Sequence, residues 1–311
     1  MLLNIYYHII FIFWYLISLL PLRVLYVFSD ILYFPLYYCI RYRRPIVRNN
    51  LTSSFPDKSK AEIIKIEKEF YSFFCDYIME TIKLFSISRS QIKRRMKFEN
   101  LEQLEETFQA GRSCSVYLGH YCNWEWISTL PASMSKNGIC AQIYHPLESR
   151  VFDRLFLYMR GRFGGHSIPM DDSFRTVLDW KKRGVLNVMG YISDQVPGYN
   201  NIHYWTDFLH HDTPVFTGAE RISRLADTAI FYADITRPKR GYYVCRFVKM
   251  TDEPGKTPKF SITEQYFRLL EETIQRSPQY WLWSHKRWKR TREVFNNLYS
   301  EEERNKRLSR L

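Results

Sequence analysis

The chain has 311 residues, of which 46% are hydrophobic and 17% aromatic, and its formal net charge is +13. This length allows one large α/β domain with terminal additions, or two small domains. The positive charge indicates anionic partners, such as nucleic acid, lipid headgroups or acidic substrates, without choosing among them. The six cysteines contain no CxxC pair, so neither a zinc knuckle nor a redox dithiol is indicated, and we expect reduced thiols facing the cytosol.

The first predicted element is a hydrophobic helix at residues 2–22, a stretch without Lys, Arg, Asp or Glu. About 20 apolar residues can cross ~30 Å of hydrocarbon. The segment lacks the positive start and small-residue end of a secretory signal peptide, so we predict a retained membrane anchor. A buried hydrophobic hairpin of a soluble protein is the alternative. Residues 24–40 are also apolar but contain Asp30 and Pro35, which leaves spanning, interfacial and domain-packed arrangements open.

A basic cluster follows the apolar segments, formed by Arg41, Arg43, Arg44 and Arg48. Positive residues that flank a membrane span tend to remain in the cytoplasm. We therefore predict that the chain after about residue 41 is cytoplasmic.

Helical and strand patterns alternate along the rest of the chain. Apolar residues at helical spacing predict helices at 60–85, 91–110, 150–163, 173–182, 216–226 and 262–276. Short apolar runs predict strands at 113–118, 139–144, 185–192, 229–235 and 242–248. A further helix is predicted to start at Trp124 with Asn123 as its cap, and a loop with Pro, Gly and Asn follows Gln195. This alternation predicts an α/β fold with a mixed sheet flanked by helices.

The segment with the clearest chemical pattern runs from Gly119 to Glu125, with the sequence GHYCNWE. On a continuous helix five residues turn through about 500°, so His120 and Glu125 meet only if the histidine lies on a turn before the helix. A carboxylate bonded to one imidazole nitrogen fixes the tautomer and raises the basicity of the other nitrogen. Such a histidine can take a proton from an alcohol that attacks a thioester or ester. In an arbitrary chain, the same spacing is more typical of a turn histidine and an exposed glutamate.

Other catalytic patterns are weaker. There is no HExxH motif and no third metal ligand at a recognised spacing, so we predict neither a metal nor another cofactor. The adjacent pair His210-His211 is more typical of side chains that point apart than of a metal site. Ser113 and Ser115 lack the surroundings of a nucleophile elbow, which argues against a serine hydrolase.

The string GHYCNWEW resembles the H-x4-D/E block of the bacterial lipid A biosynthesis (late) acyltransferases. Four more segments resemble blocks of that family in the same order, and together they cover roughly residues 20–290: RRPIVRNNL with the following SFP, RGRFG at 160–164, SDQVP at 193–197 and SPQYWLWSHKRWK at 277–289. The chain departs from the family pattern at Tyr121-Cys122 and at Phe208-Leu209-His210, where the family has Phe-Gly. These departures leave the length of the transferred acyl chain and the identity of the acceptor open.

The resemblance implies a glycerol-3-phosphate-acyltransferase-like α/β domain, of the lysophospholipid acyltransferase-like superfamily, with an N-terminal membrane anchor helix. On this basis the chain divides into an anchor or interfacial segment at 1–40, a catalytic domain at 41–300 and a charged tail at 301–311. The implied reaction moves an acyl group from acyl carrier protein, or CoA, to a hydroxyl of a lipid A precursor. It would take place at the cytoplasmic face of the bacterial inner membrane.

By the same resemblance, His120 is expected to be the general base and Glu125 the residue that orients it. Arg162 and Asp194 are expected to shape the acceptor site, together with Asn123 and Gln195. Arg162 suits a phosphate because its guanidinium fork matches phosphate oxygens. Without the family resemblance, we would assign Arg160 and Arg162 to a solvated helix face. Asp194 would then be interpreted as the cap of a turn.

Two other functions remain open at this stage. The same kind of enzyme could acylate a glycolipid, an amino-acid lipid or an aryl lipid instead. A non-catalytic basic protein at a membrane is the second alternative, but no nucleic-acid-binding signature accompanies the basic residues, so we expect no nucleic acid. The aromatic and basic segment 281–290 predicts either a contact with an anionic membrane or a folded core element with exposed basic residues.

Overall fold

The computed structural model describes residues 2–134 and 138–311. The α-helices in this part of the chain are α1 (Leu2–Leu19), α2 (Leu22–Phe34), α3 (Arg44–Ser54), α4 (Lys60–Lys83), α5 (Arg89–Arg95), α6 (Leu101–Gln109), α7 (Arg150–Gly161), α8 (Met170–Lys182), α9 (Gly218–Ala226), α10 (Ser261–Arg276), α11 (Arg292–Leu298) and α12 (Glu301–Leu308). The strands are β1 (Met96–Glu99), β2 (Cys114–Leu118), β3 (Ile139–Tyr144), β4 (His166–Pro169), β5 (Asn187–Ile192), β6 (Tyr204–Phe208), β7 (His211–Val215), β8 (Ala229–Lys239) and β9 (Tyr242–Thr251).

Seven of these strands form one sheet in the order β1-β9-β8-β2-β5-β3-β4. The strand pairs are parallel except for β8 and β9, which are antiparallel, so the predicted mixed α/β sheet is confirmed. β6 and β7 form a separate antiparallel hairpin. The central strand β2 is buried along its whole length, as expected for a strand covered by helices on both faces.

The register of β2 and β5 decides where the site lies. Leu118, the last residue of β2, pairs with Ile192, the last residue of β5, in a parallel arrangement. The segments that follow these two strands therefore leave the same edge of the sheet side by side. In open α/β sheets, ligands bind in the crevice outside the carboxyl ends of the strands. One of these segments carries His120 and the other carries Asp194 and Gln195.

Helix α4 joins the N-terminal helices to the sheet through three buried carboxylates. Glu67 accepts hydrogen bonds from Tyr37, Arg44 and Arg48, and two of these donors belong to the basic cluster. Asp76 is bonded by Ser29 of α2 and by Arg237 and Arg240. Glu80 accepts from Tyr26, Asn123 and Tyr243. Because a buried charge is costly unless it is paired, these contacts fix the position of α2 against the domain.

The N-terminal segment differs from the predicted single anchor helix. α1 ends at Leu19 and the chain turns at Pro21 into α2. Among the described residues, no single helix is long and apolar enough to span a membrane, although α1 and the following helical segment meet the criterion as a pair bent by 112°. One face of α1 packs on the domain, with Phe11 and Trp14 against Phe85. Leu25 and Ser29 of α2 are buried as well, so one face of residues 24–40 packs on the domain.

Several predicted elements need correction. The helix predicted at 91–110 is interrupted by β1, whose residues Met96–Glu99 pair with Tyr243–Arg246 of β9. The helix predicted to start at Trp124 is present, as a 3-10 helix over Trp124–Ala132. Strand β4 and the β6–β7 hairpin lie in segments for which no strand was predicted. For the strands, pairing with a partner strand decides the structure, and the local sequence pattern does not contain that information.

Candidate active site

The turn between β2 and the 3-10 helix brings the backbone very close to its neighbours. A Cβ atom at Gly119 would lie 2.6 Å from Leu270 Cδ1 and 3.3 Å from Asp194 Oδ2. Only glycine lets the chain approach the Asp194 carboxylate at this point without displacing Leu270. The residue that follows, His120, is thereby placed against Asp194.

Asp194 receives three hydrogen bonds. Its Oδ1 lies 2.5 Å from His120 Nδ1, and its Oδ2 accepts the backbone N–H of His120 at 2.8 Å and the indole N–H of Trp281 at 2.8 Å. Burial alone raises the pKa of Asp194, but the charge and hydrogen bonds of His120 and the Trp281 indole outweigh it and lower that pKa to about 2. An ionised carboxylate only accepts, so Nδ1 carries a proton, and in the neutral imidazole the free lone pair is on Nε2. The nitrogen of the Gln195 side-chain amide lies 3.3 Å from that Nε2.

The C-terminal segment holds the histidine turn in place. The backbone N–H of Cys122 donates to the Tyr280 carbonyl at 2.9 Å, and the N–H of Leu282 donates to the His120 carbonyl at 3.1 Å. Cys122 has a φ of 51°, in the left-handed region, at the position where the related family has glycine. Trp281 and Trp283 are buried, so segment 281–290 is a core element of the domain, with Lys286 and Lys289 exposed.

Glu125 has a different partner from the one predicted. Its two oxygens accept from Arg160 Nε at 2.8 Å and Arg160 Nη2 at 2.6 Å, and its side chain is buried. The predicted hydrogen bond between Glu125 and His120 is therefore wrong, since Asp194 holds Nδ1. The physical reason is the pairing of β2 with β5, which places Asp194 beside the turn, whereas Glu125 enters the 3-10 helix and faces α7.

Asn123 caps the 3-10 helix, as predicted. Its Oδ1 accepts the backbone N–H of Trp126 at 3.1 Å, and its Nδ2 donates to Glu80 at 2.7 Å. The side chain is fully buried. Because both amide atoms are engaged inside the protein, Asn123 supports the turn from below, away from the acceptor position that the resemblance implied.

Arg162 also lies away from the predicted acceptor site. Its Nη1 donates to the backbone carbonyls of Leu84 and Ile87, in the turn that follows α4. Burial lowers the pKa of this guanidinium. The arginine that reaches the site is Arg160, two residues earlier. From the sequence alone, Arg160 would have been assigned to a solvated helix face.

A cavity of about 370 Å³ opens over the histidine. His120, Glu125, Arg160 and Gln195 form its polar side, and the remaining wall is largely apolar and aromatic: Trp124, Gln142, Ile143, Tyr144, His145, Leu147, Met170, Ile192, Val196 and Phe216. Asp194 lies behind His120, buried from solvent. Three of the predicted residues, His120, Glu125 and Gln195, thus meet in one cavity.

A second, smaller cavity of about 50 Å³ lies beside the first. Trp124, Gln142 and Ile192 line both cavities, and the remaining wall of the smaller one is mostly apolar, with Val116, Leu118, Ile127, Leu130, Val188 and Gly190 among its residues. The Trp124 ring meets the His120 ring edge-on at 5.2 Å and stacks on Tyr77 at 4.2 Å. A polar site therefore adjoins an apolar space beside the sheet.

A comparison with known protein families identifies the family of the chain. The model of the family described as bacterial lipid A biosynthesis acyltransferase matches residues 1–290. The chain belongs to this family. It is therefore an acyltransferase, as the sequence blocks indicated, and residues 291–311 lie beyond the matched region.

Two relatives of this acyltransferase are each 23% identical to it over 260 residues, which cover 82% of this chain and 81% of the relative. One is the lipid A biosynthesis palmitoleoyltransferase of Escherichia coli (strain K12), and the other is a lipid A biosynthesis acyltransferase of Shigella flexneri.

Two residues of the acyltransferase site could not be identified from sequence spacing as parts of the histidine environment. Trp281 lies 87 positions from Asp194 and donates its indole N–H to it. Asp194 had been recognised in its Ser-Asp-Gln motif but not as the partner of His120, 74 positions away. The available signal was that both motifs directly follow predicted strands, since parallel strands carry such residues to the same edge.

Proposed function

We propose that this acyltransferase transfers a fatty acyl chain from an acyl carrier protein thioester, or from CoA, to a hydroxyl of a lipid A precursor. The observation that carries the proposal is the His120 imidazole, held at Nδ1 by Asp194 with Nε2 turned to a cavity that adjoins an apolar space. The relatives act in lipid A biosynthesis by their names, which supports the acceptor class. No metal or other cofactor takes part in the proposed reaction.

In the proposed mechanism, His120 Nε2 takes the proton of the acceptor hydroxyl as its oxygen attacks the thioester carbonyl. A carbon–oxygen bond forms, the carbon–sulfur bond then breaks, and the departing thiolate takes the proton back from Nε2. Asp194 keeps the proton on Nδ1 and stabilises the imidazolium that forms between these steps. This gives Asp194 the orienting role that the sequence had suggested for Glu125.

Gln195 has a separate role in the proposal. Its amide nitrogen rests 3.3 Å from Nε2 and must move aside when the acceptor hydroxyl takes that position. The amide can then donate to the negative oxygen of the tetrahedral intermediate, which lies close to the same nitrogen. Gln195 thus remains in the acceptor and transition-state environment where the sequence placed it.

Glu125 and Arg160 form the opposite side of the polar wall. The two-bond contact with Glu125 holds the guanidinium of Arg160 in a fixed orientation through Nε and Nη2, and in the described part of the chain Nη1 has no such bond and can serve an anionic substrate group. We therefore assign Arg160 the phosphate-binding role expected for Arg162. Glu125 is then a positioning residue for Arg160.

The proposed place of action is the cytoplasmic face of the bacterial inner membrane. Support comes from the large apolar side chains that α1 and α2 leave exposed, such as Ile9, Phe13, Val27 and Ile31. A contiguous exposed apolar face is typical of a contact with membrane or protein. An acyltransferase with a lipid acceptor requires access to a bilayer, which favours the membrane.

Acyl transfer with purified components tests this function. Full-length protein is incubated with acyl carrier protein thioesters and a lipid A precursor, and mass spectrometry measures the mass added to the acceptor. His120→Ala should abolish product while the protein remains folded, and His210→Ala, an exposed histidine at the β6–β7 turn, should not. Thioester turnover with no modified lipid A precursor, but with another acylated lipid in a total lipid extract, would favour the second acceptor class.

A further inference from the structure

A cavity of about 190 Å³ lies at the break between α1 and α2, and its lining shares no residue with the cavity over His120. It is lined by Pro21, Leu22, Arg23, Lys83, Gln91 and Arg95. Three of these six residues are basic. The lining contains no acidic residue, so positive charge collects here without compensation from the wall itself.

Lys83 is the most buried of the three basic residues, with 7% of its surface exposed. Its ammonium donates at 2.6 and 3.0 Å to the carbonyls of Ser18, in the last turn of α1, and Leu20, just after it, and the Ser86 hydroxyl donates to the same Ser18 carbonyl. Within the described ranges, no carboxylate forms an ion pair with it. Burial lowers the pKa of Lys83, and the nearby charges of Arg95 and Arg162 lower it further. An anion in the cavity would relieve this repulsion.

Arg23 and Arg95 present donors to the same space. Arg95 Nη1 donates to the Gly241 carbonyl at 3.1 Å, and the guanidinium lies over the Tyr242 ring. These two contacts fix the side chain. Arg23 is exposed, and in the part of the chain that the structure describes it makes no ion pair. Two guanidinium groups and the Gln91 amide therefore remain available for the oxygens of one phosphate.

Exposed apolar residues flank the lining residues 21–23 in the chain. Leu19 is 53% exposed and Val24 is 38% exposed, on the two helices that meet at the break. Both belong to the large exposed apolar surface of α1 and α2. A free phosphate ion would make no favourable contact with these apolar residues, whereas a lipid carries a phosphate and hydrocarbon in the same molecule.

We infer that the cavity at the α1–α2 break binds the phosphate of an anionic phospholipid headgroup, while the exposed apolar faces of α1 and α2 contact the acyl region of the bilayer. The site fixes the height and orientation of the domain on the membrane through one bound lipid. The inference concerns membrane attachment only. It therefore stands or falls independently of the acceptor that the acyltransferase uses.

Vesicle flotation with the full-length protein tests this inference. The protein is mixed with vesicles of phosphatidylcholine alone or with one quarter phosphatidylglycerol, and the ratio of the two bound fractions gives the preference for anionic lipid. We expect a clear preference for the wild type, since the apolar faces bind both vesicles, whereas the basic cavity favours the headgroup whose phosphate charge is not balanced by a choline cation. Arg23→Gln and Arg95→Gln should each lower the preference about 5-fold.

Arg94→Gln is the matched control, because it removes the same charge from the neighbouring exposed position of α5, outside the cavity. It should change the preference less than about 2-fold. Equal losses in all three variants would show diffuse surface attraction and overturn the assigned site, as would a wild type without preference. Among the residues that the structure describes, the exposed Arg23 forms no ion pair, so Arg23→Gln keeps the test valid if Arg95→Gln unfolds.

Inorganic phosphate separates the two sources of the ligand. In the absence of vesicles, thermal unfolding is followed with phosphate and with chloride at matched ionic strength. A rise in Tm with phosphate that Arg23→Gln abolishes, while the same variant keeps the wild-type phosphatidylglycerol preference, would assign the cavity to free phosphate and overturn the lipid inference. His120→Ala should float like the wild type, because the cavity lies outside the catalytic site.

Discussion

The His120 imidazole and the Asp194 carboxylate meet at 2.5 Å because the strands that carry them end side by side. Leu118 of β2 pairs with Ile192 of β5, so each residue follows its strand by two positions. The contact is therefore built into the parallel register of the sheet. It does not depend on the 3-10 helix that carries Glu125, whose oxygens are both occupied by Arg160.

Replacing Asp194 with Asn should nearly abolish turnover. An amide in this position can no longer stabilise the imidazolium, and it removes the preference for the tautomer with a proton on Nδ1. In a histidine–carboxylate pair of this type, such a change lowers kcat on the order of 10⁴-fold. Steady-state kcat in the acyl-transfer assay, with circular dichroism to confirm folding, measures the effect.

Glu125→Gln is the matched comparison, since it also converts a buried carboxylate near His120 to an amide. It should lower kcat by only about 10- to 100-fold, through a less firmly held Arg160. Because phosphate binding by Arg160 is affected, KM for the acceptor should rise as well. If Glu125→Gln reduced kcat as much as Asp194→Asn or more, Glu125 would be the functional partner of His120.

Gly119→Ala should destabilise the protein and reduce activity together. The added methyl group would lie 2.6 Å from Leu270 Cδ1, in a fully buried position, and 3.3 Å from Asp194 Oδ2. Such overpacking costs about 1–3 kcal/mol of the free energy of unfolding. Denaturant unfolding measures the loss, and the double variant with Leu270→Val should recover part of it.

Gly218→Ala is the control for this substitution, because no atom lies within 4 Å of the added Cβ. At the first position of α9 it should leave the free energy of unfolding unchanged or raise it slightly. Equal destabilisation by both alanines would mean that the close approach at Gly119 is not the cause.

The sequence identified both motifs of the site but paired the wrong residues. His120, Glu125, Asp194 and Gln195 were all recognised, because each lies in a short motif with chemical meaning. The spacing of five between His120 and Glu125 is visible in the chain, whereas the contact with Asp194 depends on which strands are neighbours in the sheet. Strand order is a property of the tertiary fold, and local patterns do not contain it.

The missed β6–β7 hairpin has a local cause. Its two turn residues, Leu209 and His210, have φ values of 52° and 65°, which is the backbone of a type I′ turn. Such turns are usually marked by Asn-Gly or Gly-Gly, and Leu-His gives no such signal. Leu209 is fully buried and Trp288 donates to Thr213 of β7, so packing imposes the turn.

The pH dependence of stability should report on His285. Burial lowers the pKa of this imidazole to about 4, with Arg287, His120 and Lys289 acting in the same direction and Asp194 opposing them. An unfolded histidine titrates near pH 6.5. Between about pH 6.5 and 4 the unfolded chain therefore binds a proton that the folded chain does not, so the free energy of unfolding falls as the pH falls.

His285→Asn should make that fall less steep, because one group that charges only on unfolding is removed. Chemical unfolding at a series of pH values from 7 to 4 gives the slope. A His285 variant with an unchanged slope would show that this imidazole charges equally in the folded and unfolded states.

The apolar cavity beside the site should limit the length of the transferred acyl chain, if the proposed reaction is correct. Gly190 of β5 lines that cavity, and a Cβ atom there would meet Ala141 O at 3.6 Å and Gln142 Cβ at 3.8 Å, which are ordinary contacts. Gly190→Leu should therefore be tolerated by the backbone while its side chain fills the apolar space. Thioesters of graded chain length, offered in competition and analysed by mass spectrometry, should show a shift toward shorter products.

For two thioesters, one long enough to reach the filled space and one too short to reach it, the ratio of their kcat/KM values should change on the order of 10-fold or more in favour of the shorter. A hydrophobic pocket discriminates at about this level per methylene. Gly198→Leu is the control, since this loop glycine lies outside both cavities and has no atom within 4 Å of its Cβ position. An unchanged length preference in an active Gly190→Leu enzyme would place the acyl chain elsewhere. The larger cavity over His120 would then have to accommodate both the thioester and the acceptor.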